Sequence, residues 1–198
     1  MTKAPDKEWH SRGYLPHKEY EALQFVTFRL YDSLPPEIVK QWKEELGINN
    51  QTACNDIKVQ QLRTRIARYE DAGYGQCFLK DPRIAALVQD CLLRYDGERY
   101  RLLGWCIMPN HVHVLIEMTE EWSLSSILQN WRSYTAHVAN SILGRTGAFW
   151  MSEYFDRFIR NDEHLRNVID YIDNNAVKAG LVGEPALWRW SSAGCGRS

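Results

Sequence analysis

The 198-residue sequence contains no apolar run near the roughly 20 residues that a membrane-crossing helix needs. Its first stretch, MTKAPDKEWHSRGYLPH, lacks the apolar centre of a signal peptide, so a cytoplasmic location with no membrane partner is expected. Neither charge is in excess: 24 Lys and Arg stand against 25 Asp and Glu, a formal net charge of −1. A nucleic-acid partner would therefore require basic residues gathered on one surface. Five cysteines (Cys54, Cys77, Cys91, Cys106, Cys195) form no CxxC pair and are odd in number. They read as reduced thiols rather than as a disulfide framework. Internal repeats and low-complexity segments are also missing.

What is present is a real core, at 44% apolar residues, and many flat rings, with eight Trp and ten Tyr. The length fits one domain over 1–198, with 1–20 as an irregular lead-in and 183–198 as a tail. Between them, ALQFVTFRLYD (22–32) reads as a strand, being rich in aromatic and β-branched residues. Helices are expected over DSLPPEIVKQWKEELG (32–47), IKVQQLRTRIARYEDAG (57–73) and DPRIAALVQDCLLRYDG (81–97), each closed by a glycine. Two strands follow, 99–108 and 111–118, around a Pro109-Asn110 turn signal. Then come a long amphipathic helix (123–144), an aromatic strand within 149–160, and a helix over 161–175. Without its insertions the order is βαββαβ plus a terminal helix. That is the split-βαβ, ferredoxin-like pattern of an α+β fold, an antiparallel sheet with helices packed on one face.

Within MPNHVHVLIE (108–117), His111 and His113 stand two apart on a strand and share a face, with Val112, Val114 and Ile116 on the other. Two neutral imidazoles side by side suit one divalent metal. They can equally be two unconnected histidines near a strand end, since no Asp or Cys ligand stands nearby at a familiar spacing. In NVIDYIDNNAVKAG, Tyr171 sits beside the apolar stripe Leu165, Val168, Ile169 and Ile172. Asn175 lies one turn further on the same side. A phenol and an amide so stacked could both reach one metal-bound phosphate. They could also be a boundary tyrosine and a C-capping asparagine.

Five segments in order (RGYLPH, VTFRLYDSLP, WCIMPNHVHVLIE, the FW and EYFDRFIR stretch, and YIDNNAVKAGLV) resemble the REP-associated tyrosine transposases. These are single-tyrosine members of the HUH (His-hydrophobic-His) endonucleases, and the resemblance runs from about residue 12 to 193. It implies that His111 and His113 are the metal pair, Tyr171 the nucleophile and Asn175 the third ligand. It further implies a divalent cofactor, Mg²⁺ or Mn²⁺, and a single-stranded or hairpin DNA partner of imperfect palindromic sequence. In place of the proline that commonly follows the Asn pair, this chain has Ala176.

The chemistry so implied is attack of the Tyr171 oxygen on phosphorus, giving a 5′-phosphotyrosine that a 3′-hydroxyl can reverse. Arg157, Arg160, Lys178 and the basic helix carrying Lys58, Arg63, Arg65 and Arg68 are candidates for phosphate contacts. Trp105, Trp131, Trp150, Tyr154 and Phe155 are candidates either for base stacking or for the core. The short link from FDRFIR to the tyrosine helix favours catalysis within one chain, hence a monomer. Two other readings stay open: a catalytically silent hairpin-binding regulator, and a His-x-His zinc hydrolase of a small molecule.

Overall fold

The computed structural model describes residues 9–12, 15–18, 23–53 and 56–196. Two short strands, β1 (Trp9–Arg12) and β2 (Leu15–Lys18), form an antiparallel pair beside the main sheet. The lead-in expected to be irregular thus contains a hairpin. Then follow β3 (Leu23–Leu30), α1 (Pro36–Leu46), α2 (Ile57–Asp71), α3 (Pro82–Leu93), β4 (Tyr100–Ile107) and β5 (His111–Met118). The chain continues through α4 (Leu124–Ile142), β6 (Trp150–Phe158), α5 (Asp162–Asp173), α6 (Asn175–Lys178) and α7 (Ser192–Cys195). Asp81, Ser123 and Asn161 accept hydrogen bonds from first-turn amides of α3, α4 and α5, which fixes where those helices begin.

The main sheet has the order β4-β5-β3-β6, antiparallel throughout, as the βαββαβ reading requires. Strand parity sorts its side chains. Val26, Phe28, Leu30, Val112, Val114 and Ile116 join the crossover helices α3 and α4 in the larger core. The opposite face carries Phe25, Thr27, Arg29, His111 and His113 and is also covered, by α5 with α6 and by the inserted α2. The inserted pair α1 and α2 has its own small core of Leu34, Val39, Val59, Leu62 and Ile66.

The stretch written off as a tail docks on the exposed edge of β4. Ile107 N–H donates to the Trp190 carbonyl at 2.8 Å, and Trp188 Nε1 donates to the Ile107 carbonyl at 3.0 Å. Ser192 Oγ accepts from Trp105 N–H at 3.1 Å. An edge strand so capped cannot pair with another chain. Among the described residues no helix is long and apolar enough to cross a membrane. Cys77, Cys91, Cys106 and Cys195 are free thiols, and Cys54 lies outside the described residues.

Candidate active site

The two histidines are locked by register. On β5 they pair across to β3, His111 opposite Arg29 and His113 opposite Thr27. Both are buried, at 0% and 2% exposure, so each ring needs partners for its nitrogens. His111 Nδ1 lies 2.7 Å from Asn110 Oδ1. The Asn110 amide nitrogen donates to the Tyr74 carbonyl, at 2.9 Å, which leaves only the oxygen facing His111. His111 Nδ1 must therefore carry the proton, and Nε2 presents its lone pair. His113 Nδ1 lies 2.8 Å from Thr27 Oγ1, a hydroxyl that can donate or accept.

The two ε nitrogens meet at 3.0 Å. If Thr27 donates, His113 Nε2–H donates to His111. If Thr27 accepts, two lone pairs face one another, an arrangement that calls for a cation between them. Burial, with Arg29 adding repulsion, lowers the pKa of His113 to about 3 and holds His111 well below the ordinary histidine value. Both rings are neutral and available as ligands.

Tyr171 comes over this pair from α5. Its hydroxyl lies 3.5 Å from His113 Nε2, and its ring stands edge-on to Phe25 and His113, with centroids 5.9 and 5.1 Å away. Burial raises the phenol pKa, and the Asp71 and Glu70 carboxylates raise it further. Lys178 Nζ lies 5.1 Å from the ring centroid. Asn175 is fully buried, at 0% exposure, and α5 stops at Asp173 so that Asn175 opens the separate turn α6. Neither its amide oxygen nor its nitrogen has a hydrogen-bond partner of ordinary length among the described residues. The amide still lies near enough to the phenol to oppose part of its pKa rise. A buried amide without an ordinary partner, near two convergent imidazole ε nitrogens, is a donor set that fits a divalent ion.

Sequence reasoning passed over four neighbours. Thr27 and Arg29 alternate with Val26 and Phe28, a period of two that marks a polar face on a buried strand. Glu70 and Asp71 end α2. Arg29 Nε and Glu70 Oε1 form a buried ion pair at 2.7 Å, with both side chains at 4% exposure or less. Asp71 Oδ1 lies 3.9 Å from His111 Nε2, and burial raises its pKa to about 6.

The site opens into a cleft of about 390 Å³ lined by Phe25, Arg63, Phe155, Arg157 and Tyr171, among others. The Arg63 guanidinium stands 5.3 Å from the Phe155 ring centroid. Arg157 approaches His164 at 3.3 Å, and Arg160 donates its backbone N–H to the same ring.

Two sets of expectations need correction. Trp105, Trp131, Trp150 and Tyr154 are not stacking platforms beside the site. They are buried in the larger core, on the face away from the histidines; Trp131 Nε1 donates to Tyr100 and Trp150 Nε1 to Thr135. Of the basic helix, Arg65 turns away to pair with Glu45 of α1 at 2.5 Å. Lys58 sits in the first turn of α2, while the other end of that helix meets the histidines. That is some 20 Å along the helix. Of Lys58, Arg63, Arg65 and Arg68, Arg63 alone lines the cleft.

The family described as transposase, IS200-like, matches residues 81–175, a span that includes His111, His113, Tyr171 and Asn175. A putative REP-associated tyrosine transposase of Haemophilus influenzae is 29% identical over 103 residues, 47% of this chain and 58% of the relative. The REP-associated tyrosine transposase of Escherichia coli is 22% identical over 109 residues, 54% of this chain and 62% of the relative. The match thus spans about three-fifths of each curated relative. A REP-associated tyrosine transposase solved bound to a REP hairpin superposes with a TM-score of 0.53 at 18% identity, covering 92% of this chain and 81% of that one. Ordered motifs and the family match agree, and the fold is shared: the chain is similar to the REP-associated tyrosine transposases.

Proposed function

We propose that the protein is a metal-dependent single-strand DNA endonuclease and strand transferase, a transposase that acts on palindromic hairpin DNA through a 5′-phosphotyrosine. The observation that carries this reading is the approach of the Tyr171 hydroxyl to 3.5 Å from His113 Nε2, where the two ε nitrogens converge beside the cleft. His111, His113 and Asn175 would hold Mg²⁺ or Mn²⁺, which when bound supplies Lewis acidity to a non-bridging phosphate oxygen.

The chain's own residues do the rest. Asn110 fixes the His111 tautomer, and Thr27 holds the His113 ring through Nδ1. Burial holds the phenol protonated at rest, and Lys178 Nζ stands 5.1 Å from its ring centroid, a cation beside the attacking group. The tyrosine oxygen attacks phosphorus, the bond from phosphorus to the 3′-oxygen breaks, and that oxygen leaves as a hydroxyl with one proton. The 5′-phosphate stays on Tyr171. A second 3′-hydroxyl reverses the step on another strand, so cutting and joining use the same bond energy. Phe155, with Arg63 over its ring, offers a stacking surface for a splayed base, and Arg157 a phosphate contact. Tyr171 reaches the His113 of its own chain, so catalysis by this site does not require a second chain's tyrosine.

The test is capture of a covalent adduct between the protein and a hairpin oligonucleotide with Mn²⁺ present. Tyr171→Phe should keep the fold and hairpin binding and lose both adduct and cleavage. Cleavage at the wild-type rate by the Phe variant overturns the assignment of Tyr171. Hairpin binding with no cleavage by the wild type would instead favour a silent regulator.

A further inference from the structure

We propose that Asp71 is a fourth protein ligand of the divalent ion, binding through Oδ1. The proposal rests on the reading of His111, His113 and Asn175 as the other ligands.

Asp71 comes from neither the histidine strand nor the tyrosine helix. It is the last residue of α2, which lies in the insertion between β3 and α3. The buried Arg29–Glu70 ion pair holds that end of the helix in place, because Arg29 sits opposite His111 on β3. The next residue then brings Oδ1 to 3.9 Å from His111 Nε2. That oxygen is shielded from solvent and has no hydrogen-bond partner among the described residues.

A carboxylate there is doubly unfavourable without a cation. It stands at the helix terminus where carbonyl dipoles repel negative charge. Its Oδ1 also gives up hydration without gaining a donor, and Lys178 offsets only part of that cost. Asn175, fully buried and with no hydrogen-bond partner of ordinary length for its amide, lies beside the Tyr171 phenol that reaches the same histidine pair. One divalent ion between the ε nitrogens, Asp71 Oδ1 and the Asn175 amide satisfies all of them. A carboxylate also changes the chemistry of the set. Two imidazoles and an amide are neutral, whereas Mg²⁺ and Mn²⁺ favour anionic oxygen donors.

The experiment is titration of the DNA-free protein with Mn²⁺, following the paramagnetic resonance signal of the free ion. Asp71→Ala should weaken Mn²⁺ binding at least tenfold. Asp71→Asn, which keeps an oxygen donor but not the charge, should fall between Ala and wild type. Unfolding in EDTA should show both variants folded, with midpoints at or above that of the wild type. His113→Ala separates this inference from the reading beneath it. If His113→Ala loses Mn²⁺ binding while both Asp71 variants bind as wild type, Asp71 is not a ligand and the histidine site stands. If His113→Ala binds Mn²⁺ unchanged, the histidine site itself is wrong and the inference goes with it.

Discussion

Asn110 decides which nitrogen of His111 is offered to the cleft, and it does so through a backbone carbonyl 36 residues upstream. Removing it should loosen the ring rather than the fold. For Asn110→Ala we expect Mn²⁺ affinity to drop by about 10–100-fold, as for other groups that orient a ligand, with cleavage falling in parallel. The pair also leaves a mark on stability. Folded His113 has its pKa lowered to about 3, whereas the unfolded residue titrates near 6.5. As pH falls below 6.5 the unfolded chain takes up a proton that the folded chain refuses, so stability declines until the folded pKa is reached. In EDTA, wild type should lose up to about 1.4 kcal/mol per pH unit more than His113→Gln over that window. Equal slopes in denaturant titrations of the two proteins would refute the assigned burial effect. At Arg29 the expectation is larger. Glu70→Ala removes the carboxylate from a buried ion pair and should cost about 3–5 kcal/mol in the same assay.

The tyrosine element is broken on purpose after Asp173. One continuous helix would carry Asn175 on in register; the break instead starts a new turn there, with Asn175 and Ala176 both buried. Ala176 stands where the family resemblance leads us to expect proline, and the break explains why either residue suits the place. The Ala176 N–H points to the Cys106 sulfur, a weak acceptor. Ala176→Pro should therefore cost about 1 kcal/mol, far below the roughly 3 kcal/mol of a proline inside an unbroken helix. A loss near the larger figure would show that α5 and α6 behave as one helix.

At the scale of the molecule, a net charge of −1 has to coexist with the proposed DNA binding. Arg63 and Arg157 line the cleft, and Lys178 stands over the Tyr171 ring. Phosphate contacts release counterions, so hairpin affinity should fall log-linearly with salt, by roughly 0.7–0.9 in slope for each contact. Arg157→Gln should flatten the slope by about one unit, and Lys178→Gln should do the same. Arg65→Gln and Lys58→Gln should leave it unchanged, because Arg65 is held by Glu45 and Lys58 lies at the far end of α2. Phe155→Ala should weaken binding with no change in slope.

Local pattern by itself determined the order from β3 to α5, though not the β1–β2 pair or α7, because alternation, helical spacing and caps are properties of neighbouring residues. It also placed His111 with His113 on one face, since a strand repeats every two residues, and put Tyr171 and Asn175 one turn apart. It did not say on which side of the sheet each aromatic would fall. Trp105 pairs with Val114 and Tyr154 with Phe28, and those partners turn them into the core, while Phe155, opposite Thr27, faces the histidines. One position of register separates a stacking platform from a core residue, and register is a contact between strands far apart in sequence. The docking of 188–195 on β4 and the arrival of Asp71 beside His111 are likewise tertiary. Asp71 is 40 residues from His111 in the chain, and a buried Arg29–Glu70 pair, legible only once β3 and α2 are packed, brings the two together.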